Sequence, residues 1–248
     1  MKKHLPNFIT CLNLVCGCLA LVSIFHKALD MAAYLVATAA VLDFLDGAVA
    51  RLLNVKSEIG KQLDSLADMV TFGVVPGFIM YQLISTSIFE TYGMLPNSNM
   101  IWNLAYVSLL IPVFSALRLA KFNIDTRQSD SFIGVPTPAN CMLIAAFPLI
   151  LIYEPQSFLV VPLHRIPVLI VITIISAFLL VAELPMFALK FKNLHFKGNE
   201  IRFSFLLLAL ICLLVFHFTG IVFIFILYIL LSLINNIFIN KKTNEIQS

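Results

Sequence analysis

Residues 43–68 read DFLDGAVARLLNVKSEIGKQLDSLAD, and four aspartates, Asp43, Asp46, Asp64 and Asp68, stand in this otherwise largely apolar chain. If both ends of the stretch are helical, Asp43, Asp46, Gly47 and Ala50 fall at i, i+3, i+4 and i+7. Gly60, Asp64 and Asp68 then fall at i, i+4 and i+8. Each set therefore lines one helix face, and a short loop between the helices lets the two faces meet. Carboxylates gathered in a low-dielectric setting repel one another, so such a group is either largely protonated or arranged around a divalent cation. The cation alternative is the one that leads to chemistry.

The rest of the chain places this cluster in a membrane. Of 248 residues, 60% are hydrophobic and 12% charged, with mean hydropathy +0.99, far outside the range of a soluble domain. Apolar stretches of about bilayer-spanning length occupy 8–26, 31–50, 66–87, 100–119, 135–153, 166–188, 203–218 and 221–239. The expectation is an all-α polytopic bundle of about eight transmembrane helices, the last two joined at Thr219 and Gly220, because long runs without period-2 alternation do not suit a barrel. With the N-terminus inside, fourteen of the sixteen Lys and Arg residues fall in cytoplasmic segments, leaving Lys27 and Arg165 outside. Both termini and the Asp cluster are then cytoplasmic.

A net charge of +3 concentrated in those inner loops reads as topology and attraction to anionic headgroups, not as a nucleic-acid surface. Lys2, Lys3 and His4 before an apolar run resemble a signal peptide. Asn13 within the run and the lack of a small-x-small cleavage site favour a retained first helix. The five cysteines, Cys11, Cys16, Cys18, Cys141 and Cys212, lack metal-ligand pairing and read as small buried residues. No soluble domain, long linker or internal repeat is visible, so residues 1–248 read as one membrane domain. Glu183, placed in the sixth span before Pro185, and His217, in the seventh, read as interfacial or packed residues outside any site.

The spacing D-x2-D-G-x2-A-R-x8-G-x3-D-x3-D holds without departure at Asp43, Asp46, Gly47, Ala50, Arg51, Gly60, Asp64 and Asp68. It resembles the signature of the CDP-alcohol phosphatidyltransferases, membrane enzymes that move a phosphatidyl or similar group from a CDP-linked donor to an alcohol. The resemblance implies a metal held by Asp43, Asp46, Asp64 and Asp68, with Asp68 also the catalytic base, and a homodimer. Hard oxygen ligands suit Mg²⁺ or Mn²⁺, with Ca²⁺ a candidate for a second site. A cation there screens the donor diphosphate and stabilises the leaving CMP. Gly47 and Ala50 leave room for a nucleotide against the helix backbone, Arg51 can grip a phosphate, and Gly60, on the face of Asp64 and Asp68, is a further candidate for the donor. Each has a plainer alternative: small residues permit close helix packing, and Arg51 can snorkel as a topology anchor.

Flanking segments are similar to the bacterial integral membrane branch of that family that uses serine. These are Pro6-Asn7 with Thr10, Asn13 and Gly17; Phe72-Gly73 and Pro76; the run from Arg118 to Asn123; and the run from Gly134 to Ala139. The resemblance covers about residues 5–140 and implies CDP-diacylglycerol and L-serine as substrates, with turnover at the cytoplasmic face of the inner membrane. Lys121 and Val135 stand where Arg and Leu are common. Asn7, Thr10 and Asn13, at i, i+3 and i+6, form a polar stripe suited to the donor nucleotide. Arg118, Lys121, Asn123 and Thr137 are candidates for the acceptor, with positive-inside anchoring and a plain helix start as the alternatives. Two other functions stay open: the same reaction on glycerol 3-phosphate or an inositol phosphate, and a divalent-cation transporter, which leaves Gly47, Ala50 and Arg51 unexplained.

Overall fold

The computed structural model describes residues 4–55, 57–93, 99–124, 131–187 and 199–247. Its backbone is a helix bundle. Helix α1 (His4–Phe25) turns at Lys27 into α2 (Leu29–Leu52). Helix α3 (Glu58–Tyr92) follows, then α4 (Asn103–Ile124), α5 (Thr137–Tyr153), α6 (Ile166–Val181) and α7 (Glu200–Gln247). Strand β1 (Ser131–Ile133) precedes α5, and β2 (Pro185–Phe187) follows α6.

Local chemistry sets several boundaries. Ser57 caps α3 by accepting the Gly60 N–H at 3.2 Å, and Gly93, at φ 62°, ends it in the left-handed region. Pro136, extended at φ −58° and ψ 136°, leads into α5, and a proline in the first turn of α6 starts that helix too.

Among the described residues five helices are long and apolar enough to cross a membrane, α1 to α4 and Glu200–Asn236 of α7, and α5 and α6 are shorter apolar helices. On α1 the burial is inverted relative to a soluble protein. Helix α1 buries Pro6, Thr10, Asn13, Gly17, Ala20 and Ile24 while Leu5, Phe8, Leu12, Val15, Leu19 and Val22 face outward. On α1 the contact face is thus small and polar and the large apolar side chains point outward, as suits a lipid surrounding, while the centre of the bundle buries large apolar side chains such as Phe72, Ile79, Met80 and Ile144. At the centre lies α5, packed against α2, α3 and α7, with α4 against α6 on the far side.

Several boundaries differ from the sequence reading. The third helix begins at Glu58 instead of 66, because the Ser57 cap starts it within the polar segment, and it runs as a π-helix over Met69–Val74 just beyond Asp68. The sixth helix stops at Val181 instead of 188. Pro185–Phe187 leaves it to pair antiparallel with β1, Ile133 opposite Pro185 and Ser131 opposite Phe187, so Glu183 lies in a link and not in a span. Gly134 makes this turn possible: its φ is +78°, and a Cβ there would sit 2.4 Å from the Leu180 carbonyl oxygen.

Helix α7 breaks at the exposed His217, whose φ of 46° and ψ of −120° are non-helical. The chain folds back there so tightly that a Cβ on Gly220 would touch the Cys212 carbonyl oxygen. The Glu154 carboxylate secures the reversal, accepting hydrogen bonds from Phe218 N–H and from Thr219 N–H at 3.1 Å. Of the basic residues used for orientation, Lys2, Lys3, Lys56, Arg127, Lys190, Lys192 and Lys197 lie outside the described residues.

Candidate active site

Helices α2 and α3 present their acidic faces to each other, and α1 crosses both. Asp43, Asp64 and Asp68 each offer a carboxylate oxygen such that all three lie within 4.8 Å of one another. Asp46 stands slightly apart: it is buried, and its Oδ2 accepts the Thr10 hydroxyl at 2.6 Å. The fourth carboxylate is thus tied to α1, while three converge. Asn13, fully buried on the same face of α1, directs its Nδ2 toward Asp68 Oδ1 at 3.5 Å. Its main-chain oxygen accepts from Thr71 at 3.3 Å in the π-helical segment, which fixes α1 against α3 at the level of Asp68.

Among the described residues no Lys or Arg makes a salt bridge to these four acids; Lys61 Nζ instead donates to the Asn123 carbonyl at 3.3 Å. The trio suits a hard cation. Mg²⁺ and Ca²⁺ hold oxygens at about 2.0–2.6 Å, so two oxygens on one ion sit at most about 4–5 Å apart. Three oxygens within 4.8 Å meet that condition.

Beside the trio lies a cavity of about 370 Å³, lined by Pro6, Asn7, Thr10, Asp46, Gly47, Ala50, Val55, Ser57, Glu58, Gly60, Lys61 and Asp64. It gathers seven of the residues singled out in the sequence. Gly47 faces open space: a Cβ there would meet only Arg51 Nη1, at 3.7 Å. Helix packing therefore does not explain this glycine, whereas room for a ligand does. At Gly60 the Cβ would fall 2.9 Å from Asn7 Oδ1, so its small size brings Asn7 onto the rim. Arg51 is exposed at the mouth, over Gly47.

On the other side of Asp68, Arg118 is only 7% exposed. Its Nη1 donates to Thr137 Oγ1 at 3.4 Å, and its Nε is buried without a partner among the described residues. Asp68 and Tyr228 both act on its charge electrostatically. Asn123 is brought to the motif from α4, its Nδ2 donating to Ser65 Oγ at 2.9 Å. Lys121 is exposed, one turn beyond Arg118, and does not share that buried environment. Sequence reasoning missed three residues near Arg118. Asn140, fully buried with both amide atoms unpartnered, stands one turn from Thr137. Cys141, within electrostatic reach of Asp68, donates its thiol to the Thr71 carbonyl. Tyr228 comes from the C-terminal helix, where nothing in an apolar run marks it out.

The model of the CDP-alcohol phosphatidyltransferase family matches residues 3–182. Among curated proteins, a CDP-diacylglycerol–serine O-phosphatidyltransferase of Helicobacter pylori is 40% identical over 141 residues, 56% of this chain and 54% of the relative. A protein of the same name from Bacillus subtilis is 37% identical over 147 residues, 58% of this chain and 76% of the relative. One from Methanocaldococcus jannaschii is 33% identical over 144 residues, 58% and 59% of the two chains. The match thus spans about half the length of the Helicobacter relative.

Proposed function

The chain belongs to the CDP-alcohol phosphatidyltransferase family, and we propose that within it the chain transfers a phosphatidyl group from CDP-diacylglycerol to L-serine, giving phosphatidylserine and CMP. The observation that carries this reading is the convergence of Asp43, Asp64 and Asp68 beside a cavity lined by the other members of the same signature. In it, the cytidine diphosphate of the donor lies along Gly47 and Ala50, with Thr10, Asn7 and Asp46 around the nucleotide and Arg51 at the mouth. The acyl chains stay in the lipid that the outward apolar faces require.

Asp43, Asp64 and Asp68 would hold a divalent ion. When bound, that ion screens the diphosphate and lowers the energy of the departing phosphate. The protein's own residues do the rest. The serine hydroxyl oxygen forms a bond to the phosphorus that carries the diacylglycerol. Asp68 takes the hydroxyl proton as that bond forms, and the bond from phosphorus to the CMP oxygen breaks. Asp68 suits this role because Asn13 holds one of its oxygens in place.

Arg118 favours serine over a phosphate-bearing acceptor. It is the one buried basic residue among the described residues, and its free Nε offers a single carboxylate one strong partner. Glycerol 3-phosphate or an inositol phosphate brings a doubly charged group that calls for more than one such cation. The same reading places both termini and the site on the cytoplasmic side of the inner membrane, in a homodimer.

An acceptor panel tests it. Detergent-purified protein with labelled CDP-diacylglycerol and Mg²⁺ or Mn²⁺ is expected to release CMP with L-serine and not with glycerol 3-phosphate or inositol phosphate. Faster release with either phosphate acceptor would reassign the substrate, and metal flux in vesicles without CMP release would favour the transporter.

A further inference from the structure

The family match ends at residue 182, before β2 and the whole of α7, yet one side chain of α7 reaches toward the site. Tyr228 is 7% exposed, and its hydroxyl donates to the Phe187 carbonyl oxygen in β2 at 3.0 Å. Its ring sits in an aromatic cluster, 5.1 Å from Phe187 and 5.7 Å from Phe205 between centroids. Strand β2 pairs with β1, whose chain continues through Gly134, donating to the Leu184 carbonyl at 2.9 Å, into Thr137 at the head of α5. Thr137 is the residue that accepts from Arg118. Tyr228 also lines, with Pro136 and Pro138 on either side of Thr137, an apolar cavity of about 280 Å³. A continuous set of contacts therefore runs from α7 through the strand pair to the buried guanidinium.

We infer that Tyr228 is a positioning residue for the acceptor side of the site: by holding β2, and through it β1 and Thr137, it sets the direction in which Arg118 presents its free Nε. The C-terminal hairpin is then part of the acceptor site and not only a membrane anchor. The inference rests on the reading of Arg118 as the acceptor's anion partner. Arg118 and Tyr228 act electrostatically on each other, which agrees with the two lying close together. Tyr228 touches no reacting atom, so its effect should fall on acceptor binding. An acceptor held through one guanidinium loses most when that group is turned, whereas the donor cavity between α1, α2 and α3 is built without any part of α7.

The test compares wild type with four variants of the whole chain in one detergent, with steady-state CMP release at varied serine and varied CDP-diacylglycerol. Tyr228→Phe keeps the ring and removes the hydroxyl. It should raise KM for serine about 3- to 10-fold, the loss of one hydrogen bond, with KM for the donor and kcat within 2-fold of wild type. Arg118→Lys should raise KM for serine further, and combining the two should add less than the product of the single effects, because both act on one group. Thr219→Val, at the opposite end of the hairpin, should lower thermal stability and leave KM for serine unchanged. If Arg118→Lys raises KM for serine while Tyr228→Phe leaves it unchanged, the positioning role is overturned and the reading of Arg118 stands. If Arg118→Lys itself leaves KM for serine unchanged, that reading fails and takes this inference with it. Parallel losses in donor KM, serine KM and stability in Tyr228→Phe would reduce Tyr228 to a packing residue.

Discussion

Gly47 separates a ligand site from a packing motif. A small residue kept for helix contact has a neighbour pressed against it, so a methyl group added there destabilises the protein. At Gly47 a Cβ meets nothing nearer than Arg51 Nη1 at 3.7 Å, the far end of an exposed side chain. Gly47→Ala should therefore keep or increase stability, since alanine is favoured over glycine inside a helix by about 0.8–1 kcal/mol. Gly47→Leu should likewise fold, but its side chain projects into the cavity of about 370 Å³ where the nucleotide would lie. Displacing a reacting group by about 1 Å costs on the order of 100-fold in rate, so Gly47→Leu should lose at least that much in kcat/KM for the donor. The assays are thermal unfolding in detergent and CMP release at varied CDP-diacylglycerol. A fall in stability of 1 kcal/mol or more in Gly47→Ala, or an unchanged kcat/KM for the donor in Gly47→Leu, would refute the reasoning.

Thr10→Val removes the hydroxyl that Asp46 Oδ2 accepts at 2.6 Å and leaves a buried carboxylate without that partner. It should cost about 1.5–3 kcal/mol in stability and raise donor KM, while Thr10→Ser keeps both near wild type, as thermal unfolding and kinetics would register. Asp64→Asn takes one charge from the converging trio. The Mn²⁺ concentration giving half-maximal activity should rise by more than the roughly 10- to 100-fold that loss of an outer partner of a metal costs, and a titration measures it directly.

The helical architecture was legible because hydropathy reports on long apolar helices directly, and the helical spacing of Asp43, Asp46, Asp64 and Asp68 reports on shared faces. Asp43, Asp64 and Asp68 do converge, and Asn7, Thr10, Gly47, Ala50 and Gly60 do share one cavity with Asp46 and Asp64. The division of three carboxylates from Asp46 was not legible, because it depends on which residue of α1 crosses α2 at that height. Nor was the end of α6. Pro185, Met186 and Phe187 look like a continuing apolar helix, and only their pairing with β1, some 50 residues earlier, makes them a strand. Lys121 illustrates the opposite case: beside Arg118 in sequence it looked equivalent, but the helix turns it outward while Arg118 is buried. Tyr228 and Glu154 gave no local signal because their roles come entirely from contacts made across the fold.

Asp68 carries the central claim that this acidic cluster performs the transfer. The most direct measurement is serine-dependent CMP release by wild-type protein and by Asp68→Asn, at saturating CDP-diacylglycerol and metal, with donor binding measured alongside. Loss of a positioned base predicts a kcat lower by about 100- to 10,000-fold with the donor still bound. Full turnover in Asp68→Asn would contradict the account.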